Sequence, residues 1–205
     1  IQDITEINDT DISSIVSING TSTTANISNA YHNFVKKGAG IIQQEFGACS
    51  YRVNISDRID QGTSWQLAFY LAHQAEAQGI LGNGKVQRGD KVICATGEIN
   101  TTSKDIQAVA QIPLKQQLAA KQIKQWHKNN IKVSFLIPQS NAKDVDKKLP
   151  LNIKRVNNLA DAISHLPLLE VLKQNGDKLA EHPSKTNPNP LFRLWVRFGL
   201  NKKTK

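Results

Sequence analysis

Asp60-Gln61-Gly62-Thr63-Ser64-Trp65 is the stretch on which the reading of this chain turns. It puts a serine at the mouth of a run that is apolar on most sides: Trp65, Leu67, Ala68, Phe69, Tyr70, Leu71, Ala72 and Ala75. A helix apolar nearly all round is a buried one. The spacing therefore predicts a buried helix over roughly Trp65 to Gln78, ended by Gly79, beside a sheet containing Tyr51–Ile55 and Val92–Ala95. Serine is a weak nucleophile until a base takes its proton. If Thr63 or Ser64 caps the helix, the N–H groups of Gly62, Thr63 and Ser64 suit an oxyanion hole, and Gly62 allows close substrate approach. Most serines before helices are only caps.

Further along stand Ala95-Thr96-Gly97-Glu98-Ile99 and Ile112-Pro113-Leu114-Lys115. Leu114, Leu118, Ala119, Ile123 and Trp126 fall on one helical face, so Lys115 lies at the start of a helix. A lysine becomes a general base only when neutral, and burial lowers its pKa from about 10.4 towards working pH. Between Leu114 and the Leu118–Ala119 face, Lys115 has apolar walls for that. The competing reading is a surface lysine with only its stem covered. His73 in the buried helix and His127 in a polar segment leave a Ser-His-acid triad open, but neither has a supporting local motif.

Working outward, Asn19-Gly20 between the β-rich runs Ile12–Ile18 and Thr21–Ile27 predicts a hairpin. Ser28 or Asn29 then caps a helix to about Phe46, weakened by Gly38 and Gly40. Ser50–Ile55, Lys91–Ala95, Lys132–Ile137 and Asn152–Val156 read as strands. Asn141 is expected to cap a short charged helix, and Leu159, Ala162, Ile163 and Leu166 to line another. Helices alternating with strands after residue 50 predict a mixed α/β fold with a largely parallel or mixed sheet. Gly79 to Lys85 has the spacing of a phosphate-binding loop, but Val86 stands where a magnesium-binding Ser or Thr belongs, and the segment follows a helix. It reads as a helix-to-strand connection.

Composition bounds the rest. The chain has 205 residues, 39% apolar and 21% charged, and no run approaches a membrane span. It contains no methionine, so it reads as a fragment or processed product. Cys49 and Cys94 fit no metal spacing and are expected as buried free thiols. The net charge of +9 is uneven: residues 1–35 hold four acidic side chains and no Lys or Arg, while the last 40 hold eight Lys or Arg and three acidic side chains. Residues 1–166 therefore read as one domain and 167–205 as a basic C-terminal extension. Pro183, Pro188 and Pro190 mark a linker in that extension, before Leu191–Leu200. This last segment has its own domain, a partner or a membrane surface as possible docking places. The tail competes between being merely solvated and contacting nucleic acid or anionic membrane.

Taken in order, Gly62-Thr63-Ser64-Trp65-Gln66, Thr96-Gly97-Glu98-Ile99, Leu114-Lys115-Gln116-Gln117-Leu118-Ala119-Ala120 and Leu136-Ile137-Pro138 resemble the proteolytic domain of Lon-type proteases. The match runs from about Ser50 to Leu166, some 117 of 205 residues. The resemblance implies a ribosomal-protein-S5-domain-2-like fold, with the predicted hairpin before it and the tail after it. It also implies a serine endopeptidase, with Ser64 as nucleophile, Lys115 as general base, and Thr96 orienting the amine. Such a dyad needs no metal or organic cofactor. The implied partners are a peptide or protein substrate, further copies of the chain and an ATPase, upstream or separate, since the chain carries no ATPase motif. The expected setting is bacterial and cytoplasmic. Where that family has Gly-Pro-Ser-Ala-Gly and Gly-Gly-Leu-Lys, this chain has Gly62-Thr63-Ser64-Trp65-Gln66 and Ile112-Pro113-Leu114-Lys115. These changes are expected to surround the substrate cleft, and Lys104 is the nearest substitute base. The rival reading is an inactive Lon-like binding or assembly module.

Overall fold

In the computed structural model, residues 1–36 and 40–167 and the backbone of 194–198 are described. The elements run β1 (Asp3–Ile7), β2 (Ile15–Ile18), α1 (Ser28–Val35), α2 (Ile41–Phe46), β3 (Ser50–Ile55) and α3 (Gln66–Ala77). After α3 come β4 (Lys91–Ala95), β5 (Glu98–Ile99), β6 (Ile106–Gln107), α4 (Ile112–Lys128), β7 (Lys132–Pro138), β8 (Ile153–Val156), α5 (Leu159–Ile163) and β9 (Leu194–Phe198). The fold is mixed α/β, with three small sheets ordered β1-β3-β2, β8-β7-β4-β9 and β5-β6.

The expected helix is present, but the two strands beside it belong to different sheets. β3 pairs antiparallel with β1 and parallel with β2, whereas β4 pairs parallel with β7 and β9. Buried residues of β3, α3 and one face of β4 join in a single core: Val53, Ile55, Leu67, Phe69, Leu71, Ile93 and Ala95. A helix enclosed from more than one direction needs apolar residues nearly all round, as α3 has. The other face of β4 carries Val92 and Cys94, which pack with Ile112, Ala119, Ile123 and Trp126 of α4. Strand alternation thus sorts the interior into two cores with β4 between them.

Several local expectations are corrected. Asn19 and Gly20 both take positive φ, 50° and 69°, as a tight turn requires. The returning arm, however, is a single bridge from Thr24 to Ser17 rather than a strand: on that edge of β2 the N–H of Val16 goes to the Ser28 hydroxyl instead of a partner strand. Ser28 does not cap α1: its hydroxyl bonds both the N–H and the C=O of Val16. The helix expected to reach Phe46 is two helices, with Gly40 preceding α2 and Gly38 outside the described residues. Asn141 caps nothing: buried, it clamps the backbone N–H and C=O of Val109, both at 2.9 Å. Leu114 is 46% exposed, since the buried face of α4 runs through Ile112, Gln116, Ala119, Ile123 and Trp126. Cys94 is buried, but Cys49 is only half-buried and its thiol donates to Glu6 at 2.9 Å. Residues 79–85 do lead from α3 towards β4. The Pro183–Pro190 linker lies outside the described residues. Within Leu191–Leu200, residues 194–198 form β9 along β4, from Lys91 opposite Leu194 to Ala95 opposite Phe198. Among the described residues, no helix is long and apolar enough to cross a membrane.

His73 sits inside the first core, 3% exposed, its Nε2 2.9 Å from the hydroxyl of Tyr31 and its ring edge-on to Tyr51. Burial pushes its pKa down to about 3. The unfolded chain takes a proton near the ordinary value of about 6.5, long before the folded one does. Stability is therefore expected to fall by roughly 1.4 kcal/mol per pH unit as pH drops from about 6 towards 3. Urea unfolding at pH 7 and pH 4.5 checks this. His73→Gln, which keeps a polar partner for Tyr31 but does not titrate, flattens the dependence; an unchanged slope in that variant removes His73 as its source.

Candidate active site

Thr96 follows β4 directly, and its N–H continues the ladder to Leu136 O at 3.1 Å. By alternation from Val92 and Cys94, its side chain faces the α4 side of the sheet. There Lys115, in the first turn of α4, donates from Nζ to Thr96 Oγ1 at 3.1 Å. The same hydroxyl donates to the carbonyl of Ser64 at 3.3 Å. One buried threonine thus links the lysine to the serine's own peptide group.

The next residue completes the attachment. Gly97 N–H donates to Ser64 O at 3.0 Å, and Gly97 O accepts from Leu67 N–H at 3.1 Å. A Cβ at residue 97 would lie 2.7 Å from Ile106 Cγ2 and 3.2 Å from Leu67 Cδ2. A side chain there would collide with Ile106 of β6 and crowd Leu67 of α3.

The loop before α3 has each of three successive carbonyls tied. Gly62 O accepts from Trp65 Nε1 at 2.7 Å, Thr63 O from Gln66 N–H at 3.0 Å, and Ser64 O from Gly97 and Thr96. Among the described residues, the N–H groups of Gly62, Thr63 and Ser64 have no protein acceptor. Gly62 takes φ of 85°, and a Cβ there would meet nothing within 4 Å. N–H groups without a protein acceptor are donors that a negatively charged oxygen could take. Ser64 itself is half-buried in the turn preceding Gln66.

Lys115 is partly enclosed, and burial pushes its amine down to about 8. The field at a helix N-terminus disfavours a cation and acts in the same direction. The helix start is anchored on two sides: Gln116 bonds the N–H and C=O of Asp146, and Asn141 holds Val109. Gln111 at φ 63° makes the turn into the helix, and Pro113 fits its first turn.

Of the residues singled out by sequence, Ser64, Thr96 and Lys115 are brought together, with Gly62 and Thr63 beside them. The amine's contact is Thr96; Ser64 Oγ makes no hydrogen bond among the described residues. Lys104 is elsewhere, paired with Glu45. His73 is enclosed with Tyr31, and His127 is exposed near the far end of α4. Of the residues expected around the cleft, Trp65 is fully buried and Gln66 Oε1 accepts from Ile99 N–H at 2.8 Å, while Thr63 and Pro113 are exposed. Sequence reading missed two partners. Glu98 Oε2 accepts from the Thr63 hydroxyl at 2.8 Å, and Trp65 donates back to Gly62. Glu98 lies in the Thr96–Ile99 segment already singled out, but a contact across 35 positions has no local signature.

Two open concavities lie elsewhere among the described residues: about 410 Å³ beside Val145, Lys154, Arg155 and His165, and about 270 Å³ beside Lys85, Gln122 and Trp126. Among the described residues, no group of three or more His, Cys, Asp or Glu is placed to hold a metal. No family model and no curated protein matches the chain.

Proposed function

We propose that this chain is a serine peptidase of the Lon proteolytic type, cleaving peptide bonds through an acyl-enzyme. The observation that carries the reading is the Thr96 hydroxyl, which joins the Lys115 amine to the Ser64 peptide group through contacts of 3.1 and 3.3 Å. A lysine titrating at about 8 is neutral in roughly a tenth of the molecules at pH 7, against under a thousandth for an ordinary lysine.

The chemistry follows from these parts. Ser64 Oγ attacks the substrate carbonyl carbon while Lys115 Nζ takes the hydroxyl proton. The carbonyl oxygen becomes an oxyanion facing the free N–H groups of residues 62–64. Collapse breaks the C–N bond, and the Lys115 ammonium returns its proton to the leaving amine. Water, deprotonated by the same amine, then hydrolyses the ester and restores the serine. The inward turn of Trp65 removes the bulk that would otherwise argue for a closed cleft and an inactive module.

A peptidyl phosphonate, which forms a covalent adduct with an activated serine, tests the reading. The expected result is one adduct per chain, mapped to the peptide containing Ser64, and none on Ser64→Ala. No adduct on the wild-type chain across a panel of peptidyl groups, or an unchanged adduct on Ser64→Ala, sinks it in favour of a binding module.

A further inference from the structure

Nothing packs against the Cβ side of Gly62, and residues 61–63 are exposed. A glycine at positive φ carries the widest conformational freedom of any residue, so packing does not hold this loop in place. Hydrogen bonds must do so. Two of the carbonyl ties come from α3 and its entrance, Trp65 to Gly62 and Gln66 to Thr63, and leave the side chain of residue 63 unheld. The side-chain tie from residue 63 to another element is Thr63 Oγ1 to Glu98 Oε2, at 2.8 Å, onto β5. A hydroxyl donating to a carboxylate is a charge-assisted bond, here of ordinary length and on the exposed side of the loop. Glu98 is not a member of the ion pairs Arg58–Asp60 and Lys104–Glu45. The neighbouring residues of its segment already hold the other parts of the site: Thr96 and Gly97 donate to Ser64 O, and Ile99 N–H donates to Gln66 Oε1.

We infer that Glu98 is a positioning residue, which keeps the Thr63 and Ser64 N–H groups aligned for the oxyanion by holding the Thr63 hydroxyl. The inference rests on the hydrolytic reading of Ser64 and Lys115. Glu98 touches no reacting atom. Its effect belongs to the transition state, where the oxyanion forms, rather than to substrate binding.

The test compares Glu98→Ala, Glu98→Gln, Thr63→Val, Thr63→Ser and the Glu98→Ala/Thr63→Val double variant on a chromogenic peptide substrate. Glutamine keeps an acceptor for the hydroxyl, and serine keeps the donor. Glu98→Ala and Thr63→Val are each expected to lower kcat about tenfold with KM within about twofold, as for loss of one charge-assisted hydrogen bond felt in the transition state. The double variant should be no slower than either single one. Glu98→Gln and Thr63→Ser should stay within about threefold of wild type. Wild-type kcat in Glu98→Ala, additive losses in the double variant, or Glu98→Gln as slow as Glu98→Ala overturns the proposal. Amide exchange separates this failure from failure of the hydrolytic reading. The Gln66 and Gly97 N–H groups, which bond Thr63 O and Ser64 O, should exchange about tenfold faster in Glu98→Ala and Thr63→Val, and as wild type in Glu98→Gln. Absence of turnover in every form with that exchange pattern refutes the peptidase while leaving the latch in place; unchanged exchange in Glu98→Ala removes the latch itself.

Discussion

Lys115→Ala is expected to lower peptide hydrolysis by about 10³-fold or more while the chain unfolds at an unchanged denaturant concentration. The size follows from the loss of a general base acting on a hydroxyl that is inert without one. Lys115→Arg should be as inactive, because a guanidinium stays protonated and cannot accept the serine proton. The Ser64→Ala/Lys115→Ala double variant should be no worse than either single variant, since the two act as one unit. The pH dependence carries the sharper signature. With burial holding the amine at about 8, the active, neutral form grows as pH rises through that value. kcat/KM should therefore rise with a midpoint near pH 8 and stand about a hundredfold below its plateau at pH 6. A midpoint near the ordinary lysine value, or one near 6.5, would assign the base to a different group. Retained activity in Lys115→Ala would take the lysine out of the mechanism. Thr96→Val, which keeps the shape but deletes the hydroxyl, should slow the reaction with a shifted midpoint, because both contacts of the bridge are lost.

Trp65→Ala is expected to cost about 3–5 kcal/mol of stability, the range for truncating a buried aromatic residue. The ring is fully buried, with Phe69, Phe34 and Tyr31 edge-on at centroid separations of 5.0, 5.3 and 6.4 Å. Trp65→Phe separates the two jobs of this side chain. It retains an aromatic ring but deletes the donor that holds Gly62 O at 2.7 Å. Its stability loss should be mostly the smaller ring's lost packing plus about 1 kcal/mol for the hydrogen bond. Its kcat should fall further than that loss would suggest, because the carbonyl preceding the proposed oxyanion donors is released. Guanidinium unfolding and steady-state kinetics on the two variants decide the matter. A stability loss under about 1 kcal/mol in Trp65→Ala would contradict the burial. Full activity in Trp65→Phe would show that the indole N–H does not order the loop.

The alternation of helix and strand after residue 50, the buried character of α3 and the lysine at the start of α4 were all legible in the chain. Each depends on local periodicity, which residues a few positions apart suffice to set. The positive-φ turn at Asn19-Gly20 was legible for the same reason. Tertiary structure alone assigned β3 and β4 to different sheets, because strand partners are chosen across long separations by packing rather than by local pattern. It also reduced the hairpin's second arm to one bridge, since the Ser28 hydroxyl takes the N–H of Val16 on that edge of β2. Trp65 shows the limit most plainly. Next to a serine at a helix mouth, a large ring reads as an obstruction in the cleft. The structure turns it inward, where aromatic neighbours from α1 and α3 enclose it and its one polar atom reaches a carbonyl three positions back. Residue types showed which side chains could do hydrolytic chemistry; the meeting of Ser64, Thr96 and Lys115 depends on β4, α3 and α4 packing together. The Thr63–Glu98 bond arises in the same way, from two loops brought side by side by the elements they leave.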